Sequence, residues 1–172
     1  MVKTIRIGSD FSGLDTSVIA MRKVAKKVPG LHVRHTHSCD NNKVCSNSIL
    51  HNSPPEKFFD DVLTRSLDGA PECDVYCFIA PCTAFSPAGK NKGIADPNGA
   101  LVFAAIMYIQ EKRPVVVLSE NVANFAQMHK ATMQLVADTI RGLGYEVTWR
   151  MLSTDDFGIH QIRRLLHAGS SQ

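Results

Sequence analysis

The sequence predicts an α/β fold built on a doubly wound, mostly parallel sheet, and three observations carry that expectation. Apolar runs of strand length alternate with stretches of helical length along the chain. Val75-Tyr76-Cys77-Phe78-Ile79 is a continuous apolar run that reads as a buried parallel strand, and Pro114-Val115-Val116-Val117-Leu118-Ser119 is a second apolar run. The residues with chemical potential follow the carboxyl ends of the predicted strands, where open α/β sheets bind their ligands.

Ile5 to Phe11 alternates and reads as the first strand, and Ser12-Gly13-Leu14-Asp15 is its turn. Asp15 or Thr16 caps a helix running to about Val28, which Pro29-Gly30 stops. Leu31 to Cys39 is a second strand. Asp40-Asn41-Asn42 opens a second helix toward Leu50, and Ser53-Pro54-Pro55-Glu56 breaks the chain. Lys57 to Leu67 reads equally as a helix or as a short strand and turn. After the strand at 75–79, residues 86–96 have no apolar period and form a loop. Asp96-Pro97 caps and starts a helix through Gln110. The strand at 114–119 follows, then a helix from about Gln127 to Leu143 that Gly144 ends, then a last clear strand from Tyr145 to Leu152.

With 172 residues the chain is expected to be one domain, 1–172. Its 44% hydrophobic content is enough for a core, and a net charge of +3 permits a nucleic-acid partner without arguing for one. Five cysteines, no CxxC pair and no signal peptide point to a reducing, intracellular compartment. The longest apolar stretch, Ala100 to Ile109, is about half of what a membrane span needs, so no membrane partner is expected. His35-Thr36-His37-Ser38-Cys39 has histidines on one face of a strand but no spaced second ligand pair, and Cys73 and Cys77 straddle a strand boundary. No metal site is expected from either.

Chemistry is concentrated at two strand ends. Cys82 is held by Pro81 just beyond the strand at 75–79, and Glu120-Asn121-Val122 ends the strand at 114–119. A thiol and a carboxyl so placed would face one cleft as nucleophile and acid. The wording of the motifs is specific. Pro81-Cys82-Thr83-Ala84-Phe85-Ser86-Pro87-Ala88-Gly89 resembles the Pro-Cys-Gln-x-Phe-Ser-x-Ala-Gly loop of the DNA cytosine-5 methyltransferases. Glu120-Asn121-Val122 is identical to that family's Glu-Asn-Val. Asp156-Phe157-Gly158-Ile159-His160-Gln161-Ile162-Arg163 resembles its Asp-Tyr-Gly-x-Pro-Gln-x-Arg segment. The resemblance runs from about Thr4 to Arg164 and implies the sheet of class I S-adenosylmethionine-dependent methyltransferases, DNA as partner, and a base flipped out of the duplex. It places the protein in the nucleus of a eukaryote or the cytoplasm of a prokaryote.

The resemblance implies a role for each motif residue. Cys82 is the thiolate that adds to C6 of cytosine, which makes C5 nucleophilic toward a sulfonium methyl. Glu120 holds N3 and shares a proton with it, Asn121 accompanies it, and Arg163 binds near the carbonyl O2 or positions the loop. Each has a plain competitor: a buried small cysteine, a cap on the next segment, a solvated basic face at Arg163-Arg164. For the methyl donor, Phe11-Ser12-Gly13-Leu14-Asp15-Thr16 resembles Phe-x-Gly-x-Gly-Gly, so Phe11 and Gly13 fall at the donor site. Asp15 stands at the second glycine, as added bulk and charge or as a helix cap. Asp40 matches the ribose-binding acid and reads equally as an N-cap. Asp61 matches the acceptor for the adenine amino group, or belongs to a surface helix. Pro81 and Leu101 complete the donor contacts, Leu101 also reading as an ordinary core leucine.

Four departures accompany the match. Thr83 replaces glutamine, His160 replaces proline, and Leu165 stands where a second arginine is expected, unless Arg164 takes that role after a one-residue gap. The chain also ends without the target-recognition region and the late Gly-Asn-Ser-type segment, and nothing before Thr4 supplies them by permutation. A reversed strand should insert between the fifth and sixth, of which Arg164 to Ala168 reads as a stub, leaving sheet edges unpaired. The expectation is a partial or split enzyme, with a second chain as the carrier of the recognition region. Against the enzyme stands a binding module that holds donor or nucleic acid and completes a partner, and, third, an RNA methyltransferase with the same chemistry.

Overall fold

The computed structural model describes residues 2–81, 101–123, 127, 129–158 and, by backbone path alone, 164–171. Seven strands form one sheet in the order β3-β2-β1-β4-β5-β7-β6. In chain order the elements are β1 (Lys3–Asp10), α1 (Thr16–Ala25), β2 (Leu31–Cys39), α2 (Lys43–Asn52), β3 (Lys57–Phe59), β4 (Val75–Phe78), α3 (Val102–Lys112), β5 (Val116–Val122), α4 (Lys130–Gly142), β6 (Glu146–Ser153), a 3₁₀ turn (Thr154–Phe157) and β7 (Arg164–Ser171). The strands from β3 to β5 are mutually parallel, and β7 runs antiparallel to both of its neighbours.

The alternation of β4 divides the core. Tyr76 and Phe78 face a cluster with Ala105, Ile106 and Ile109 of α3 and Ile140 of α4. Val75 and Cys77 face the other way, onto Val18 of α1 and Ile7 of β1. Four consecutive buried residues, each facing a filled layer, make β4 the centre of the molecule. A buried ring cluster extends the first layer toward β2. His37 lies 4.9 Å from the ring of Tyr108, 6.2 Å from Tyr76 and 6.4 Å from Phe59. Gly8 admits that imidazole: a Cβ there would stand 2.0 Å from His37 Cε1.

Several boundaries differ from expectation for local reasons. The segment 57–67 resolves as strand β3 followed by turns, because β3 takes the open edge of β2. The first helix ends at Ala25 and gives way to turns (Lys27 N–H to Val24, Val28 N–H to Ala25). Helix α4 begins at Lys130, three residues later than expected. The strand expected at 114–119 is β5, 116–122, so Glu120, Asn121 and Val122 lie within the strand rather than after it. The loop at 86–96 and the helix start at Asp96-Pro97 lie outside the described residues; helix α3 is described from Val102.

The largest correction concerns the stub. Arg164–Ser171 is a full strand, paired with β5 from Val116↔Ser171 to Val122↔Leu165 and with β6 from Glu146↔Ser171 to Ser153↔Arg164. The expected gap between β5 and β6 is therefore filled, and the expected unpaired edges there do not exist. The Gly-Ser-Ser run reads as a tail but sustains backbone pairing on both sides, which is indifferent to side-chain polarity.

Candidate active site

Phe11 turns the chain out of β1 in the left-handed region (φ 53), as do Gly13 (φ 56) and Asp15 (φ 58). For Phe11 and Asp15 that geometry costs about 1–2 kcal/mol each, so the surroundings must hold it. They do so through hydrogen bonds. The Ser12 N–H donates to the Cys39 carbonyl (3.0 Å), and Ser12 Oγ accepts from the Cys39 N–H (3.0 Å), stitching the loop to the end of β2. The Gly13 N–H donates to Asp40 Oδ2 at 2.7 Å.

Asp15 occupies the N-cap position of α1 but caps nothing. Its carboxylate turns inward and is fully buried. It accepts from Ser9 Oγ (2.7 Å) and Ser38 Oγ (2.5 Å), and His35 Nε2 lies 3.2 Å away. Asp40 does not cap α2 either. Asn42 does, its Oδ1 accepting from the N–H groups of Val44 (2.9 Å) and Cys45 (3.4 Å). Asp40 accepts from Gly13 and, through Oδ1, from the Asn42 N–H at 2.9 Å. A carboxylate offers about four lone-pair sites, so about two remain for a ligand's hydroxyls.

At the carboxyl ends of β1, β2 and β4 lies a cavity of about 510 Å3. Phe11, Asp40, Asp61, Pro81 and Leu101 all line it, five of the six residues expected at the donor site. Gly13, the sixth, acts on it through Asp40. Asp61 is not on a surface helix; its Oδ1 accepts from the Leu63 N–H (2.9 Å) in a turn after β3. Sequence reasoning missed Asn41, Asn42 and Cys45 along one wall, Val62 and Leu63 along another, and Cys39 and Ile79. Cys39, Asn41 and Val62 directly adjoin a recognised residue in the chain, and contiguity alone would have pointed to those three.

A second unforeseen group borders this cavity. Asp10, the last residue of β1, is fully buried. Both of its carboxylate oxygens receive the Arg65 guanidinium, whose side chain is 1% exposed, and the Tyr76 hydroxyl donates to Oδ2 at 2.5 Å. The same guanidinium lies over the ring of Tyr108, 5.0 Å from its centroid.

Of the expected catalytic residues, Cys82 and Arg163 lie outside the described residues. Glu120 and Asn121 are adjacent on β5 and so point to opposite faces of the sheet. Asn121 is 8% exposed, and its Oδ1 accepts from the Val122 N–H. Glu120 is half-buried, one step beyond Ser119, which pairs with Phe78 of β4. It does not line the cavity but follows beside its Ile79 wall. Burial holds the described thiols in the protonated form. It pushes Cys39 and Cys73 up to about 12 and Cys77 to about 11, and Cys45 is also raised by burial and then by Asp40. None of these four suits a nucleophile that must ionise near neutrality. Among the described residues no cluster of His, Cys, Asp and Glu could hold a metal ion, and no helix is long and apolar enough to cross a membrane.

A sheet of this order, with a cavity at the carboxyl ends of its first parallel strands, defines the class I methyltransferase fold. Solved structures share it. A DNMT2 mutant from Spodoptera frugiperda superposes over 98% of this chain and 50% of its own, with a TM-score of 0.76 at 18% identity. The Dnmt2 methyltransferase of S. pombe does so over 97% and 49%, with a TM-score of 0.71 at 17% identity. Residues 5–167 match the C-5 cytosine-specific DNA methylase family, and the chain belongs to that family. Among curated relatives it is similar to the type II methyltransferase M.HhaI of Haemophilus parahaemolyticus, 39% identical over 98 residues. That match covers 56% of this chain and 30% of the relative. It is also similar to the orphan methyltransferase M.SPRI of Bacillus phage SPR, 29% identical over 164 residues, 95% of this chain and 37% of the relative. The chain thus spans about a third of the length of these relatives and about half of the solved structures.

Proposed function

We propose that the chain transfers a methyl group from S-adenosylmethionine to C5 of a cytosine flipped out of DNA. The observation that carries this reading is the single cavity on which Phe11, Asp40, Asp61, Pro81 and Leu101 converge. Its volume, about 510 Å3, lies in the range of small-molecule sites. Its chemistry suits the donor: acids on two walls for ribose hydroxyls and an adenine amino group, and apolar surface from Phe11, Val62, Ile79, Pro81 and Leu101 for the ring. When bound, S-adenosylmethionine supplies an electrophilic methyl on a sulfonium.

The chain's own residues do the rest. Asp40 accepts the ribose hydroxyls with the lone pairs that Gly13 and Asn42 leave open, and Asp61 accepts the amino group. The Cys82 thiolate adds to cytosine C6, and the resulting enamine makes C5 the nucleophile that takes the methyl. Loss of the C5 proton to a base then expels the thiolate. Glu120 shares a proton with N3, so that charge does not accumulate in the ring. Asn121, facing the opposite side of β5 and accepting from the Val122 N–H, supports the strand end rather than the base. Arg163 serves the O2 edge of the base.

Covalent trapping tests the reading. With S-adenosylmethionine and duplexes containing 5-fluorocytosine, fluorine blocks the elimination, and a denaturation-resistant adduct should form on Cys82 and not in Cys82→Ser. A donor-binding preparation, alone or complemented in trans, that gives no adduct across varied duplexes refutes the nucleophile.

A further inference from the structure

The geometry points to Arg65 as a positioning residue for the methyl donor, acting through a buried clamp on Asp10 that fixes two walls of the cavity against each other. The inference rests on the donor reading given above.

The clamp connects segments that nothing nearby in sequence connects. Asp10 directly precedes Phe11, which lines the cavity from the β1 side. Arg65 follows Asp61, Val62 and Leu63, which line it from the other side, and its N–H closes that turn onto the Asp61 carbonyl at 3.1 Å. Between the two walls stands one bidentate ion pair, 1% and 0% exposed, with Tyr76 on the same carboxylate. Cys39, at the end of the neighbouring strand and paired in register with Asp10, forms part of the cavity lining.

Stability alone is a poor reason for such a pair. Removing two charges from water is costly, and apolar residues of similar volume often serve a core equally well or better. What a bidentate fork adds is a fixed distance and orientation, which Lys cannot reproduce. Phe59 and Tyr108 hold the guanidinium plane, 5.7 and 5.0 Å from it, so the fork has little freedom to turn. The distance it fixes is the one across which Phe11 and Asp61 must meet the same ligand.

The test separates position from stability. In the full 172-residue chain, the double variant Asp10→Leu/Arg65→Met replaces the pair with apolar residues. Its thermal melt is compared with wild type, and its affinity for S-adenosylmethionine is measured by calorimetry without DNA. The expected result is a melting temperature lowered by no more than the stranded Tyr76 hydroxyl accounts for, with donor affinity weakened by about tenfold or more. Arg65→Lys, which keeps the charge but not the fork, should also lose donor affinity. A double variant that melts like wild type and binds donor within about threefold of it overturns the clamp as a positioning device. So does any series in which affinity falls only in step with melting temperature. Should the double variant not fold, Arg65→Lys decides: it keeps the charge without the fork, and donor affinity within about threefold of wild type in a stable protein refutes the inference. Absence of donor binding by the wild-type chain would instead refute the donor reading itself.

Discussion

Asp15 stands where the family resemblance asks for glycine, and its backbone meets the demand by adopting φ 58. The side chain that glycine would lack is used inward, as the shared acceptor of Ser9 and Ser38 beside His35. Two effects oppose each other in Asp15→Gly. Relief of the left-handed conformation stabilises by about 1 kcal/mol, and two buried hydroxyls lose a charged acceptor at about 1.5–3 kcal/mol each. The second is larger. Asp15→Gly should therefore lower the unfolding free energy by about 2–5 kcal/mol, read by urea denaturation. A variant as stable as wild type would mean that the serines find other partners.

At the scale of elements, β7 decides how the right half of the sheet closes. Ala168 pairs with Ser119 on one side and Trp149 on the other, so it is the middle of a strand bonded along both edges. Proline there removes a donor and clashes in the ladder, at a cost of about 3 kcal/mol or more. Ala168→Pro should abolish the cooperative melt or lower its midpoint by many degrees, whereas a dispensable tail would leave it unchanged.

The same elements show how far the sequence could be read. The strand at β4 was legible because four apolar residues in a row leave little else to form. Strand β5 was read three residues short, because Glu120 and Asn121 break the apolar run while the pairing to β7 continues past them. The cavity acids Asp40 and Asp61 were legible as site residues only through the resemblance, and the wrong residue of Asp40-Asn41-Asn42 was read as a possible cap. That choice is made by Gly13, 27 residues away, which occupies the Asp40 carboxylate and leaves the cap to Asn42. The Asp10–Arg65 pair spans 55 residues and has no local signature beyond a charge at the buried end of β1.

At the scale of the whole molecule, the buried ring cluster makes stability depend on acidity. Burial lowers His37 from 6.5 to about 3, with the Arg65 charge adding to the effect. The folded state therefore keeps the ring neutral where the unfolded chain binds a proton. His37 contributes its full stability above about pH 6.5 and loses it progressively as the pH falls toward 3. The slope from this one group approaches about 1.4 kcal/mol per pH unit within that window. Unfolding free energies measured between pH 7 and pH 4 should fall more steeply for wild type than for His37→Phe. Parallel curves would show that His37 does not titrate differently on unfolding.

The place of β7 has a consequence for the nascent chain. Strand β6 is synthesised before β7 yet touches β5 only through it. While the ribosome has delivered β6 but not β7, neither strand has its final neighbour, and each exposes a row of unpaired amides and carbonyls. The left half, from β3 to β5, pairs only strands already made by then. Co-translational folding must therefore proceed in two stages, and the interval between them is when a chaperone, or a stray strand from another nascent copy, finds an open edge.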